Sequence, residues 1–367
     1  MKNIMTVIGT RPEAIKLIPF IIALKDNKYL KNKVCISGQH IDLVIPLLIK
    51  NNIKIDYQIK NYKNDGSLSR TAAIIIEKIS ILLKEENPDL IVVQGDTTTA
   101  FASALAAFYS CVPIAHIEAG LRTSNLYSPW PEEAHRCLID KITTYFFAPS
   151  KQAQEALITE GIDSKKIWLV GNTSIDAIRL VKNSLPKKNN KSDKKIIVVT
   201  IHRRENHGTS LINICRALIA IAKAFPNIKI EFCLHPNPAV CKPITRILSN
   251  IYNINLVPPM DHHSFIQLLD ESIFIITDSG GIQEEASFMG KPVLIMRNTT
   301  ERPEGIEEGN AKLVGTNTND IIEACTSLLN SREVLSSMSK IHSSYGDGYA
   351  AQRIISIIEQ ELGKIER

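Results

Sequence analysis

Short runs of apolar, mostly β-branched residues alternate with longer segments of helical periodicity along most of this 367-residue chain. Such alternation favours a parallel sheet, because a helix is the usual crossover between two parallel strands. In the first half, the predicted strands are Ile4–Ile8, Val34–Ser37, Leu90–Val93, Pro113–His116, Tyr145–Ala148 and Ile167–Val170. The predicted helices between them include Ala14–Leu24, Arg70–Lys84 and Thr98–Tyr109.

The alternation is interrupted once, by the polar segment Leu185–Lys195, which is predicted to be a linker. It then resumes with predicted strands Ile196–Thr200, Ile228–Cys233, Ile254–Val257, Ile273–Thr277 and Pro292–Met296, and a final helix Tyr349–Leu362. We therefore predict an α/β protein with an N-terminal domain of residues 1–170 and a second domain of residues 171–348. A ligand is expected in the cleft between them, beyond the carboxyl ends of the strands.

Composition argues against several other classes. Much of the net charge of +5 lies in Lys187–Lys195, and no base-stacking motif accompanies it, so no nucleic-acid partner is predicted. The seven cysteines are odd in number and have no C-x-x-C spacing, which favours reduced thiols over a zinc site or a disulfide framework. The N-terminal apolar run is too short for a signal peptide, and no stretch approaches the ~18 apolar residues of a membrane span. We expect a cytoplasmic protein that binds neither membrane nor metal.

The segment Gly9–Lys16 follows the first strand and opens the first helix. Gly9 permits a tight turn and Pro12 suits a helix start, while Arg11 and Lys16 add positive charge near the positive end of the helix dipole. This arrangement favours an anionic ligand, the alternative being a capped helix with a surface arginine. Neither G-x-G-x-x-G nor G-x-x-x-x-G-K-[ST] occurs, so the motif gives little support to NAD or to a P-loop nucleotide.

Three carboxylates lie on two successive strand-end loops: Asp96, Glu118 and Glu132. Clustered carboxylates raise the pKa of at least one member, which makes proton transfer possible near neutral pH. Alternatives remain for two of them. Asp96 could cap the helix that starts near Thr98, and Glu132 could belong to an ordinary acidic first helical turn.

The second half carries two further motifs at strand ends. His202 directly follows a strand and precedes two arginines, which favours a role facing phosphate over a structural role. The stronger motif is Asp278–Ala286, where Ser279, Gly280 and Gly281 form a turn that starts a helix. The glycines let backbone N–H groups approach a phosphate, and Glu285 could accept hydrogen bonds from ribose hydroxyls.

Seven segments together resemble the non-hydrolysing UDP-N-acetylglucosamine 2-epimerases: Gly9–Lys16, Gly95–Thr99, His116–Arg122, Ser128–Arg136, His202–Asn206, Asp278–Ala286 and Arg297–Glu304. The resemblance implies the glycosyltransferase-B architecture, two Rossmann-like domains facing a cleft, with residues 349–367 packed back on the first domain. It also implies interconversion of UDP-N-acetylglucosamine and UDP-N-acetylmannosamine without cofactor or metal, a homodimer, and a role in surface polysaccharide synthesis. The hydrolysing relatives have a different start in place of Arg11-Pro12-Glu13-Ala14.

The same resemblance implies roles for individual residues. Asp96, Glu118 and Glu132 would handle protons while UDP is eliminated to 2-acetamidoglucal and added back. His202 and Arg11 would stabilise the diphosphate, and Phe265 would lie near the uracil. The complete set of predicted catalytic and substrate-binding residues is Asp96, Glu118, Glu132, His202, Arg11, Lys16, Arg136, Phe265, Ser279, Gly280, Gly281, Glu285 and Arg302.

In the bacterial members of the family, residues that match five positions of this chain bind a second, regulatory substrate molecule. The matching positions are Gln39, His40, Arg70, Arg203 and His235. Asp42 departs from the family pattern, since a carboxylate near a diphosphate repels it. Three other functions stay open: an epimerase for a modified UDP-sugar, a glycosyltransferase of the same architecture, and a nucleotide-sugar-binding regulator without chemistry.

Overall fold

A computed structural model describes residues 1–59, 67–186, 195–203, 206, 208–235, 237–300 and 302–364. Contacts between residues divide the chain into two compact units. Unit 1 comprises residues 1–177 and 346–367, and unit 2 comprises residues 178–345. Most of the predicted linker, residues 187–194, lies outside the described residues. Among the helices that are described, none is both long enough and apolar enough to cross a membrane.

Unit 1 is built on a sheet of seven parallel strands in the order β3-β2-β1-β4-β5-β6-β7. The strands are β1 Lys2–Ile8, β2 Leu30–Ile36, β3 Tyr57–Gln58, β4 Leu90–Gln94, β5 Ile114–Ile117, β6 Tyr145–Ala148 and β7 Ile167–Leu169. The helices are α1 Arg11–Leu24, α2 Ile41–Lys50, α3 Leu68–Glu86, α4 Thr98–Tyr109, α5 Glu132–Ile142 and α6 Lys151–Thr159, and helix α7 Thr173–Ser184 begins in unit 1 and ends in unit 2. Every residue of β4 and β5 is buried, which is the pattern of strands covered on both faces.

Unit 2 repeats this plan with six parallel strands in the order β10-β9-β8-β11-β12-β13. The strands are β8 Lys195–Thr200, β9 Ile228–Cys233, β10 Ile254–Val257, β11 Ser272–Thr277, β12 Val293–Ile295 and β13 Ala311–Leu313. The helices are α8 Thr209–Ala224, α9 Pro238–Leu248, α10 His262–Glu271, α11 Gly280–Met289, α12 Glu304–Glu307, α13 Thr318–Asn330 and α14 Arg332–Met338. Its core gathers residues from these strands and from α8, α9 and α13, including Phe232, Phe274 and Leu218.

The C-terminal helix α15, Ala350–Lys364, belongs to unit 1 and contacts α1. Asn27 Nδ2 donates to Glu359 Oε1 at 2.7 Å. The buried carboxylate of Asp176 accepts from the backbone N–H groups of Ala350 and Ala351, at 3.1 and 2.8 Å. These two N–H groups lie at the start of the helix, so Asp176 takes the place of a capping side chain.

The strand order of each sheet reverses at one point, between β1 and β4 in unit 1 and between β8 and β11 in unit 2. Ligands of open parallel sheets bind at such switch points, outside the carboxyl ends of the strands. The sequence-based strands correspond to the observed ones, but two strands were missed. Both β3 and β13 lie at a sheet edge and have only two and three residues, too few to show a periodic pattern.

Candidate functional site

Glu13 organises the loop between β1 and α1. Its Oε2 accepts from the backbone N–H groups of Thr10 and Gly9, at 2.6 and 3.2 Å, and the Thr10 side chain caps α1 in return. Its Oε1 accepts from Thr97 Oγ1 at 2.8 Å, and Thr97 caps α4. Burial disfavours the carboxylate form and raises the pKa of Glu13 to about 7. One buried side chain therefore ties together the starts of the two helices that follow β1 and β4.

Gly9 is needed for close approach. A Cβ at Gly9 would lie 2.0 Å from Thr99 Oγ1, whereas its φ does not lie in the left-handed region. Thr99 Oγ1 lies 2.7 Å from Ser37 Oγ and donates to Gln39 Oε1 at 2.9 Å. Gln39, predicted to be regulatory, thus contacts the same switch point as Gly9. His40 and Asp42 are exposed at the start of α2, and Arg70 is exposed in the first turn of α3.

Asp96 follows β4 and forms an ion pair with Arg136 on α5. It does not cap α4, because Thr97 occupies that position, so the capping alternative for Asp96 is wrong. The Asp96 carbonyl accepts a hydrogen bond of 3.0 Å from His135 Nδ1. The ring of His135 stacks on Phe101 of α4 with 5.0 Å between centroids. Two successive residues of α5 therefore fix both the side chain and the backbone of Asp96.

Glu118 follows β5, the next strand of the sheet, and pairs with Lys16 of α1. Gln94 Nε2 also donates to Glu118 Oε2, at 2.6 Å. The backbone of Glu118 has φ +71°, a left-handed conformation that is uncommon for a residue other than glycine. These contacts join β4, β5 and α1, and they leave the carboxylate 15% exposed.

Glu132 and Glu133 begin α5, as the first-turn alternative supposed, but they have different surroundings. Glu133 is buried, and its Oε1 accepts from the backbone N–H groups of Thr123 and Ser124, at 2.8 and 3.2 Å. Glu132 is only partly buried and lies one turn before Arg136 on the same helix. Arg136 thus pairs with the predicted acid Asp96 and also with Glu133, whose Oε2 lies 3.1 Å from Arg136 Nη1, while Glu133 braces the preceding loop.

In unit 2, the buried carboxylate of Asp278 organises the loop after β8. It accepts from the backbone N–H groups of His202 and Arg203, at 2.8 and 3.0 Å, and from Asn206 Nδ2 at 2.8 Å. Burial lowers the pKa of His202, and the neighbouring His235 lowers it further, while Asp278 acts in the opposite direction. His202 is therefore held mainly in the neutral form, which can donate one ring hydrogen bond.

The helix α11 begins at Gly280, and the side chain of Ser279 makes no capping hydrogen bond to the described residues. The first N–H groups of α11 therefore remain suited to an anionic ligand. The guanidinium of Arg302 lies directly above Gly280, where a Cβ would be 2.7 Å from it, and Arg302 Nε donates to Glu284 Oε1 at 2.6 Å. Glu285 is half-buried on α11, and Phe265 is half-buried in the first turn of α10.

The structure thus pairs Asp96 with Arg136 and Glu118 with Lys16 at the strand ends of unit 1, where Arg11 begins α1 and Glu132 begins α5. In unit 2, Asp278, which precedes the α11 start, holds the backbone of His202 and Arg203, and the His202 ring contacts His235. Sequence reasoning did not assign Glu13, Glu133 or the buried Asp140 to any role. Nothing in a sequence distinguishes these acids from solvated ones, since only the fold buries them. Among the described residues, no cluster of His, Cys, Asp and Glu could hold a metal ion.

The chain is similar to known proteins over most of its length. The family model described as "UDP-N-acetylglucosamine 2-epimerase" matches residues 22–359. A UDP-N-acetylglucosamine 2-epimerase of Yersinia pestis is 41% identical, with 97% of this chain and 98% of the relative covered. One of Neisseria meningitidis is 42% identical, with 97% and 99% covered. A crystal structure of the Neisseria meningitidis enzyme bound to UDP-GlcNAc matches 98% of this chain and 100% of its own, with a TM-score of 0.88 at 41% identity. A Rickettsia africae glycosyltransferase, TM-score 0.62 at 16% identity, shares the fold alone.

Proposed function

The chain belongs to the UDP-N-acetylglucosamine 2-epimerase family, and we propose that it interconverts UDP-N-acetylglucosamine and UDP-N-acetylmannosamine by eliminating UDP and adding it back. The observation that carries the proposal is the pairing of Asp96 with Arg136 and of Glu118 with Lys16 at one switch point. Two oriented carboxylates, with Glu132 nearby, suit an enzyme that must remove a proton and return it on the other face.

The chemistry explains why carboxylates are needed. The hydrogen at C2 of the sugar is not adjacent to a carbonyl, so its direct removal as a proton is unfavourable. In an elimination, a base takes this proton while the C1–O bond to UDP breaks, and a C1–C2 double bond forms. UDP then adds to C1 as an acid returns a proton to the opposite face of C2. No electrons are gained or lost overall, so the reaction requires no redox cofactor.

The contacts in unit 1 support this assignment. Gln94 Nε2 and Lys16 both contact the same oxygen, Glu118 Oε2, which fixes the direction of the carboxylate. Asp96 is anchored by Arg136 while remaining 28% exposed on its side chain. Both groups are thus oriented and still accessible, which general acid–base catalysis requires. Glu132 is assigned to the same proton-handling group because it shares α5 with Arg136.

Unit 2 is proposed to hold the nucleotide. The departing diphosphate would receive hydrogen bonds from the first N–H groups of α11 and from neutral His202, with Arg302 adding charge beside Gly280. Arg11 of α1 would stabilise the same diphosphate. Glu285 would accept from ribose hydroxyls, and Phe265 would lie near the uracil. Preorganised donors of this kind stabilise the negative charge that develops on UDP as the C1–O bond breaks.

We also propose a cytoplasmic homodimer that supplies surface polysaccharide synthesis. All seven cysteines are unpaired, and Cys35, Cys215 and Cys325 are buried, which fits a reducing compartment. Light scattering of the purified protein tests the dimer. Deletion of the gene in its host, followed by analysis of the surface polysaccharide for N-acetylmannosamine derivatives, tests the pathway.

One NMR experiment separates the proposed activity from its alternatives. The purified protein is incubated with UDP-N-acetylglucosamine alone. Appearance of UDP-N-acetylmannosamine supports the epimerase, whereas free sugar with UDP indicates a hydrolase. No change would contradict the proposal and leave a glycosyltransferase, a binding protein or a modified substrate. A panel of UDP-sugars, including diacetamido uronic acid derivatives, then decides whether a modified substrate is converted.

A further inference from the structure

The ring of His116 on β5 is completely buried between the two loops that carry Asp96 and Glu118. Its Nδ1 lies 2.7 Å from Asp140 Oδ1 on α5, and its Nε2 lies 2.8 Å from the carbonyl oxygen of Gly95. Because a carbonyl oxygen can only accept, Nε2 must carry a hydrogen. Neither side chain was needed for the chemistry described above.

The other partner of the ring also acts only as an acceptor. Asp140 Oδ2 accepts from the backbone N–H of Gly120 at 3.1 Å and from Arg122 NH2 at 2.8 Å. Burial favours the neutral acid, but His116 and Arg122 outweigh it and hold the pKa of Asp140 below its usual value. Both nitrogens of the buried His116 ring therefore have a polar partner, Asp140 Oδ1 and Gly95 O, and His116 and Asp140 form one buried hydrogen-bonded pair.

The His116–Asp140 pair holds backbone on both sides of the proposed acids. Gly95 directly precedes Asp96, and its carbonyl is bound by the ring. Gly120 follows Glu118 by two residues, and its N–H is bound by Asp140. The left-handed backbone of Glu118 persists only where neighbouring contacts hold it. Phe147 O accepts from the N–H of Glu118 at 3.0 Å, and the Gly120 contact secures the other side of the turn.

We propose that His116 and Asp140 are positioning residues that set the directions of Asp96 and Glu118 through the backbone of Gly95 and Gly120. The inference rests on the proposed epimerase function. Because both side chains have no exposed surface, they act through these neighbours. The His116–Asp140 pair fixes the position of the loop that carries Asp96 relative to the loop that carries Glu118. A two-step reaction needs this, because the same sugar carbon loses a proton and then regains one.

The first test compares a variant that removes the hydrogen bonds of the His116 ring with variants that keep part of them. His116→Phe retains a flat ring but loses both donors, and it is expected to lower kcat by about 100-fold, as misplacement of catalytic groups does. Asp140→Asn can donate its amide to a neutral ring whose Nε2–H still binds Gly95 O, so its loss is smaller. His116→Gln can offer one amide donor to Gly95 O and should recover part of the rate.

Two readouts separate positioning from loss of fold. Solvent deuterium incorporation at C2 is measured against net epimerisation, since misdirected acids alter this ratio and a smaller folded fraction does not. UDP affinity, which depends on unit 2, should stay unchanged. The control is Glu160→Gln, which removes the carboxylate at 2.5 Å from Arg122 without touching the ring. If His116→Phe fails to bind UDP, the test uses the kcat values of Asp140→Asn and His116→Gln instead, and both should lie below that of the wild type.

The positioning is also tested without activity. In His116→Phe, the amides of Asp96 and Gly120 should exchange faster with solvent. If wild-type protein converts no substrate, the proposed function fails, and these measurements still decide the positioning. Unchanged amide exchange of Asp96 and Gly120 in His116→Phe, or a deuterium-to-epimer ratio unchanged in every variant, would overturn it.

Discussion

The rings of His202 and His235 pack edge to face in unit 2, with centroids 5.6 Å apart and planes at 90°. The contact joins a residue predicted to stabilise the diphosphate with one predicted to bind a regulatory ligand. Asp278 holds the backbone of His202 and of Arg203, another predicted regulatory residue. A ligand that moves one of these side chains therefore also changes the contacts of the others.

Replacing His235 with glutamine should raise the pKa of His202, because the second ring no longer opposes the positive charge. His202 pKa is depressed below 6.5, so the folded state loses stability as pH falls below that value. In His235→Gln this acid loss should be smaller, because it still begins at the unfolded pKa but ends at the raised pKa of the folded state. NMR titration of the His202 ring measures the shift. His263→Gln, whose ring contacts Ser184 instead, is the control and should leave the titration unchanged.

Asp96→Asn, Glu118→Gln and Glu132→Gln should each lower kcat by about 10²- to 10⁴-fold, the usual contribution of a general acid or base. UDP affinity, measured by calorimetry, should remain near that of the wild type. In deuterated water, the wild-type product should carry deuterium at C2. Near-normal rates for all three variants, or product without label at C2, would remove the mechanism.

Gly280→Ala and Gly281→Ala should differ in their effects on the protein. A methyl at Gly280 meets the Arg302 guanidinium at 2.7 Å, so we expect a lower melting temperature and UDP affinity reduced by about tenfold, the equivalent of about 1.4 kcal/mol. At Gly281 an added Cβ would have no atom of the described residues within 4 Å outside its own helix backbone and chain neighbours, so we expect only ligand binding to be affected. Gly281→Ala should therefore weaken the binding of UDP without lowering the melting temperature of the protein.

Gly363→Ala in α15, where an added methyl has no atom of the described part of the chain within 4 Å outside its own helix, controls for the general effect of alanine in a helix and should slightly raise stability. Equal UDP affinity in Gly280→Ala and wild type would mean that the α11 start does not hold the nucleotide.

The pKa of about 7 at Glu13 means that the folded state binds a proton more tightly than the unfolded chain, whose value is 4.5. The stabilisation is complete below pH 4.5 and is lost as pH rises to about 7, with a total of the order of 3 kcal/mol. Glu13→Gln should remove this dependence. Melting temperatures of both proteins across this range measure it, and parallel curves would show that Glu13 does not titrate there.

A regulatory second site predicts a lag when purified UDP-N-acetylmannosamine is the only substrate. A trace of UDP-N-acetylglucosamine should abolish the lag, because a ligand that prefers the active state raises its population. Arg70→Ala should weaken this activation, whereas Arg179→Ala, on α7, serves as a matched control. An immediate hyperbolic rate with UDP-N-acetylmannosamine alone would exclude activation by the substrate.

The sequence predicted the fold in detail where elements are long and apolar. Helix α4 was predicted with its observed bounds, since Thr98–Tyr109 is flanked by a threonine cap and a strand end. Helix α1 was predicted three residues short, because Pro12 and the capping box place Arg11 inside the helix. The short edge strands β3 and β13 were missed, because their pairing depends on neighbours distant in the chain.

For the site, the sequence by itself determined which polar residues follow the strands, because parallel strands bring their carboxyl ends to one edge. It also determined the anion-binding character of the α11 start, since Ser279 and the two glycines are local signals. Only the tertiary structure decided the charge and direction of these groups. Burial and partners distant in the chain set the pKa of Glu13 and His202, the pairing of Asp96 with Arg136, and the hydrogen bond between His116 and Asp140. Such effects depend on which side chains meet and on how much water they lose, and neither quantity is written in local spacing.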